Sequence, residues 1–131
     1  MKLIPLRLEP GQDLKKEILN FCQAQKLSAG FVISGIGSLK SINLRLANSK
    51  DTLQRQEFFE VLSIQGSLTE NAVHLHMSVA DSKGQCFGGH LMDGCEIYTT
   101  AEILIQEMPE YKFERVLDPR TGYPELKINK V

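Results

Sequence analysis

Residues 73–91 constrain the fold of this chain more than any other segment, because their residue types alternate with a period of two. Apolar residues occupy the odd positions from Val73 to Val79, and His74 and His76 are among the residues at the even positions. Such alternation predicts a strand with one buried face and one exposed face. The histidines then lie on the face away from the core.

A second alternating run follows at residues 85–91, and its large apolar residues again stand at odd positions. If both apolar sets share one face, a three-residue loop, Ser82-Lys83-Gly84, must join the two runs. The last position of such a loop needs a positive φ, which glycine adopts without strain. In this register His76 lies directly opposite His90, with His74 on the diagonal. Opposed Cβ atoms lie about 4.5–5.5 Å apart and diagonal ones roughly 7–8 Å apart.

These are all the histidines of the chain, and neutral imidazole is the commonest protein ligand for zinc and similar metals. We therefore predict that His74, His76 and His90 bind one divalent ion, Zn²⁺ or another divalent transition metal. Three protein ligands leave a fourth position for water or a small anionic ligand. Cys86 shares the histidine face and is a further potential ligand, although its position toward the turn favours a small apolar role. Glu102 is a candidate catalytic base if its strand neighbours the hairpin; whether the protein is an enzyme is left open.

Length and composition predict one globular domain, residues 1–131, that is large enough to bury a core without staples. The chain is 42% hydrophobic and 24% charged, and no apolar run approaches the length of a membrane span. The first residues are too brief for a signal peptide. Three cysteines without paired spacing argue against a disulfide framework. We expect a cytoplasmic protein that does not bind membranes.

One helix and several strands are predicted along the rest of the chain. Asp13 is a suitable N-cap, and the apolar residues after it recur at helical spacing through Cys22. Strands are expected at 3–8, 30–38, 41–47, 57–69 and 96–106, and the tail from Tyr111 is expected to hold one more strand segment and a turn at 118–122. Short turns between strands and a single clear helix predict an α+β domain with a largely antiparallel sheet.

Charge and glycine patterns argue against direct nucleic-acid binding and against dinucleotide binding. The net charge is −1, and the basic residues are spread singly, so no basic run for nucleic acid is present. Gly35-Ile36-Gly37 lacks the third glycine and the following helix of a dinucleotide-binding loop. A tight bend or close backbone packing explains these glycines better.

An ordered set of short motifs resembles the PPC domain, the plants and prokaryotes conserved domain, over about residues 8–126. The motifs are Gly35-Ile36-Gly37-Ser38-Leu39, Glu60 to Leu68, His74-Leu75-His76 through Asp81, Gly88-Gly89-His90-Leu91, Gly94-Cys95 and Thr100-Ala101-Glu102. The resemblance is to a free-standing prokaryotic member. It implies a compact antiparallel sheet with a packed helix and a homotrimeric assembly. It also implies that His74, His76 and His90 are the metal-site histidines of prokaryotic members.

Plant members of this family bind DNA through an Arg-Gly-Arg-Pro arm, and this chain has no such arm. Glu57 to Leu62 also replaces the family's Gly-Arg-Phe-Glu-Ile-Leu partner motif. Two functions therefore stand side by side. The first is a homotrimeric metal-binding protein with an open coordination position. The second is a DNA-associated or transcription-related assembly protein in which any metal is structural and DNA binding is weak or indirect. Phe58 and Phe59 are expected to be exposed apolar residues that the trimer covers.

Overall fold

In the computed structural model, which describes residues 1–131, an eight-stranded antiparallel sheet is accompanied by one helix and a separate two-stranded hairpin. The elements are β1 (Lys2–Leu8), α1 (Leu14–Gln25), β2 (Gly30–Leu39), β3 (Ile42–Arg45), β4 (Thr52–Arg55), β5 (Phe59–Leu68), β6 (Val73–Ala80), β7 (Cys86–Leu91), β8 (Ile97–Glu107), β9 (Tyr111–Asp118) and β10 (Tyr123–Lys130). The large sheet has the order β1-β8-β2-β5-β6-β7-β3-β4, and β9 pairs with β10. The predicted α+β class is confirmed.

The helix α1 begins at its predicted cap. The Asp13 carboxylate accepts a hydrogen bond from the backbone N–H of Lys16 at 3.0 Å and another from Gly94 at 2.6 Å, which ties the helix start to the β7–β8 connection. The helix ends at Lys26, which adopts a left-handed conformation with φ 51°. Its buried side chains are Leu14, Ile18 and Cys22. This helix is too short and too polar to cross a membrane.

The hairpin β6–β7 has the predicted register. His76 pairs with His90 and Val79 pairs with Phe87. Gly84 closes the loop with φ 78°, and the Asp81 carboxylate accepts hydrogen bonds from the loop backbone. Leu75, Met77 and Val79 of β6 are buried in the core cluster, whereas the histidines lie on the outer face of the sheet.

Glycines allow strands to approach closely around the histidines. A Cβ at Gly66 would collide with the carbonyl oxygen of His74, and Gly66 also has φ 152°, which side chains rarely adopt. A Cβ at Gly89 would lie 2.6 Å from the carbonyl oxygen of Arg45. Gly35 and Gly37 likewise lie against neighbouring strands, as expected from close backbone packing.

We expect Gly66→Ala to destabilise the fold by about 3 kcal/mol, because strain and a backbone collision coincide at one position. Thermal unfolding followed by circular dichroism should show a Tm lower by roughly 10 °C. Gly84→Ala is the matched control: it also has a positive φ but open space around a Cβ, so it should cost only about 1 kcal/mol. Equal losses in the two variants would contradict the role assigned to the close approach at Gly66.

Two strands differ from the sequence prediction. β4 was not expected, and it is a four-residue edge strand beside β3. The tail holds two strands rather than one, with β10 following the predicted turn. The sequence of β10 did not predict a strand, because its composition is polar and because Pro124 is a residue that sheets accept only at their edges.

The outer face of the large sheet carries an apolar patch formed by Ile36, Phe58, Leu62 and Tyr98. Their exposed fractions are 53%, 59%, 50% and 48%, and the Phe58 and Tyr98 rings lie 4.6 Å apart. Phe59 does not belong to this patch, so its predicted exposure is wrong. It is the first residue of β5 and points into the core, where it is 2% exposed and contacts Phe87 edge to face.

Candidate metal centre

A row of side chains crosses four neighbouring strands on the outer face of the sheet. Gln65 of β5 pairs with His76 of β6, which pairs with His90 of β7, which pairs with Arg45 of β3. Directly opposed residues project from the same face. His74 lies on this face as well, two residues before His76, so the strand registers bring the three imidazoles together.

The three imidazoles form one cluster. Their ring centroids are 5.0 Å apart for His74 and His76, 5.1 Å for His74 and His90, and 5.6 Å for His76 and His90. One potential ligand atom from each ring lies within 4.8 Å of those of the other two. The Nε2 atoms of His74 and His76 are 3.2 Å apart. In this hydrogen bond one nitrogen donates and the other accepts.

Burial and nearby positive charge keep two of these rings neutral. Burial is the main cause that lowers the pKa of His90 to about 4, and the positive charge of the Arg45 guanidinium is the second. Burial also lowers the pKa of His74, with Arg115 as the next cause. A metal ligand must be deprotonated. Each of these two neutral rings therefore carries one nitrogen lone pair at neutral pH.

These residues fit a tetrahedral zinc ion. Two nitrogens bound to zinc at about 2.0–2.1 Å in tetrahedral geometry lie roughly 3.3 Å from each other, close to the 3.2 Å between the Nε2 atoms of His74 and His76. His90 would complete the set by a side-chain adjustment. Its Nδ1 atom is buried without a hydrogen-bond partner, and buried polar atoms in folded proteins are normally satisfied.

Two other sequence candidates lie away from the cluster. Cys86 pairs with Ala80 near the turn, and its thiol contacts the carbonyl oxygen of Gly84. Glu102 lies on β8, with β2 and β5 between its strand and β6. That is about 14 Å across the sheet at ordinary strand spacing. Glu102 was a candidate base only if its strand lay next to the hairpin β6–β7. Within one chain β8 does not lie next to this hairpin.

The charged residues beside the imidazole cluster were not predicted from the sequence. Arg45 and Arg115 line a cleft with His74 and His90, and the hairpin β9–β10 adds Glu125 to the same cleft. No local pattern points to these residues, because they come from distant parts of the chain. Only the folded sheet places them together.

The fold and the site define a small α+β domain that presents a cluster of three imidazoles beside two arginines. The chain belongs to the Plants and Prokaryotes Conserved (PCC) domain family, whose model matches residues 1–109. This confirms the resemblance read from the sequence motifs.

The relatives and solved structures named here match at least 97% of the chain. It is 52% and 51% identical over 131 residues to the bifunctional protein GlmU of two Synechococcus strains, JA-2-3B'a(2-13) and JA-3-3Ab, and spans 21% of each. A crystal structure from Salmonella enterica superposes with a TM-score of 0.95 at 37% identity, covering 98% of this chain and 94% of that one. A metal-containing protein of Archaeoglobus fulgidus gives a TM-score of 0.80 at 26% identity, covering 97% and 94%.

Proposed function

We propose that this protein binds one divalent transition metal ion, zinc above all, on His74, His76 and His90. The observation that carries the proposal is the cluster itself, with one potential ligand atom from each ring within 4.8 Å of the others. Imidazole ligands suit zinc. The metal-containing relative from Archaeoglobus fulgidus supports the proposal.

In this proposal the ion binds an exogenous ligand and does not stabilise the fold. Three protein ligands leave one position for water or an exogenous group, as in catalytic zinc sites. The core of 22 buried residues includes none of the histidines, so folding does not need the ion. The ligand is a small anion, because Arg45 and Arg115 line the cleft beside His74 and His90.

The proposed assembly is a homotrimer. The apolar patch exposes four large side chains on a sheet face that lacks a covering helix, and exposed apolar patches commonly mark protein interfaces. The proposed location is the cytoplasm, since all three cysteines are free and two of them are buried.

Elemental analysis tests the metal proposal directly. Protein purified without a histidine tag, offered zinc and then desalted, should retain one zinc per chain by mass spectrometry. A crystal of the same sample should place the ion between the three imidazoles. Protein that holds no zinc under these conditions would contradict the proposal.

Duplex DNA should bind weakly and without sequence preference at physiological salt. Affinity for DNA depends on neutralising phosphates with clustered cations, and this chain has a net charge of −1 with its basic residues scattered. Fluorescence anisotropy with a labelled duplex and a scrambled control checks this. Sub-micromolar binding to one sequence over its scrambled control would favour the DNA-associated function instead.

A further inference from the structure

A cleft of about 350 Å³ opens beside the histidines, between the large sheet and the hairpin β9–β10. It is lined by His74 and His90 on one side and by Arg115, Tyr123 and Glu125 of the hairpin on the other. The family model ends at residue 109, so the hairpin that forms this wall lies beyond the part of the chain that the family shares by that model.

Arg45 is a cation without a partner in the chain. It pairs with His90 in the β3–β7 register and is half-buried. Its guanidinium makes none of the ion pairs or side-chain hydrogen bonds of the structure. A half-buried guanidinium with five free donors is suited to a planar or tetrahedral oxyanion.

Arg115 flanks the histidines from the opposite side. Its Nη2 atom donates a hydrogen bond to the Ser67 hydroxyl at 2.5 Å, and Ser67 pairs with His74 in the β5–β6 register. That contact anchors the guanidinium next to the imidazole and leaves its other donors available. Burial lowers the pKa of Arg115, whereas the negative charge of Glu125, which lies on the same hairpin, raises it.

We infer that Arg45 and Arg115 together bind the carboxylate or phosphate of a small organic anion in this cleft. Two guanidiniums on opposite sides of His74 and His90 can hold one oxyanion by charge-assisted, bidentate hydrogen bonds. The ligand's remaining oxygen atoms then face the imidazoles. Contact with the ion at that point rests on the proposed metal-binding function, whereas the arginine contacts do not.

The size and lining of the cleft restrict the rest of the ligand. A volume of about 350 Å³ is at the small end of the range for ligand pockets, which fits a small metabolite rather than a polymer. Val73 and Pro124 supply apolar wall beside the charged groups. The hairpin β9–β10 is therefore the element that selects the ligand, and the sheet is the element that holds the metal.

Calorimetric titrations of the zinc-loaded protein test this inference with four probes. Lactate carries a carboxylate and glycerol 3-phosphate carries a phosphate, while lactamide and glycerol are their neutral counterparts. We expect at least one anion to bind and neither neutral probe to bind. Arg45→Gln and Arg115→Gln should each weaken anion binding by about tenfold or more. The matched control is Lys127→Gln, which removes one exposed positive charge from the same hairpin and should change nothing.

Arg115→Gln removes the hydrogen bond to Ser67 and can loosen the hairpin. Arg45→Gln removes no contact within the chain, so a loss of anion binding in that variant is not caused by a structural change. Absence of binding by both anions, equal binding of the neutral probes, or equal loss in Lys127→Gln would overturn the inference. Zinc-loaded arginine variants that bind anions as tightly as the unmodified protein would overturn it while leaving the metal site intact. Arginine-dependent anion binding by protein that retains no zinc would support the inference and contradict only the metal proposal.

Discussion

Replacing His76 with alanine should abolish stoichiometric zinc binding while leaving the fold intact. His76 is the central member of the cluster, since it pairs with His90 across the hairpin and its Nε2 atom is 3.2 Å from that of His74. In structural sites with four protein ligands, zinc contributes about 10–16 kcal/mol in apparent binding free energy, which is roughly 3 kcal/mol, or about a hundredfold in affinity, for each ligand. A site that has only three protein ligands and loses one of them should not hold zinc through desalting. Mass spectrometry after desalting should find no zinc in His76→Ala.

The matched control for this variant is Gln65→Ala, which lies directly across β5–β6 from His76 on the same exposed face. Its zinc content should equal that of the unmodified protein. Both variants should keep their far-ultraviolet circular dichroism and Tm in the absence of metal, because the buried sides of β5 and β6 are untouched. Full zinc occupancy in His76→Ala would show that the ligand set is wrong.

The unmodified protein should be a homotrimer, with a mass near 44 kDa from a chain of 14.7 kDa, and charge placed in the apolar patch should dissociate it. We expect Ile36→Glu combined with Leu62→Glu to give monomers, because two carboxylates would be buried without partners in an interface. Light scattering at low micromolar concentration measures both masses. A monomer mass for the unmodified protein would contradict the proposed assembly.

Leu117→Glu provides the control for this experiment. Leu117 is 67% exposed but lies on β9, outside the apolar patch. The same change of side chain there should leave the trimer mass unchanged. A trimer that survives both glutamates in the patch would place the contact between copies on another face.

The hairpin β6–β7 could be predicted from sequence in detail because its information is local. Parity of the apolar residues and Gly84 in the loop together allow one register, and that register puts His76 opposite His90. The helix could also be predicted from the sequence, because Asp13 and the apolar spacing after it mark its start.

The strands β4 and β10 could not be predicted, because neither carries a clear apolar alternation. Both form by pairing with a neighbour that the sequence already favours: β4 with β3, and β10 with β9. Phe59 was misplaced for a related reason. Two consecutive phenylalanines leave open which one faces the core until the start of β5 is known.

The candidate site also contains residues that the local sequence predicts and residues that only the folded sheet brings together. Its histidines come from one hairpin and were predicted, whereas Arg45 and Arg115 come from elements that the sheet order brings together. The suggestion of Glu102 as a base depended on strand adjacency, which no local pattern encodes. Glu125 is instead the carboxylate that lines the cleft beside His74.

The histidines are close together in the chain and the arginines are distant from them, which sets the order in which the site assembles during folding. His74 and His90 are 16 residues apart in the chain, while Arg45 is 45 residues before His90 and Arg115 is 41 residues after His74. Hairpins close in about 1–10 μs, and pairing between distant segments is slower because more loop entropy is lost. We therefore expect the proposed metal ligands to meet early and the arginines to join them late. On the proposed function, a nascent chain binds zinc before its anion cleft forms, so metal loading does not require the finished protein.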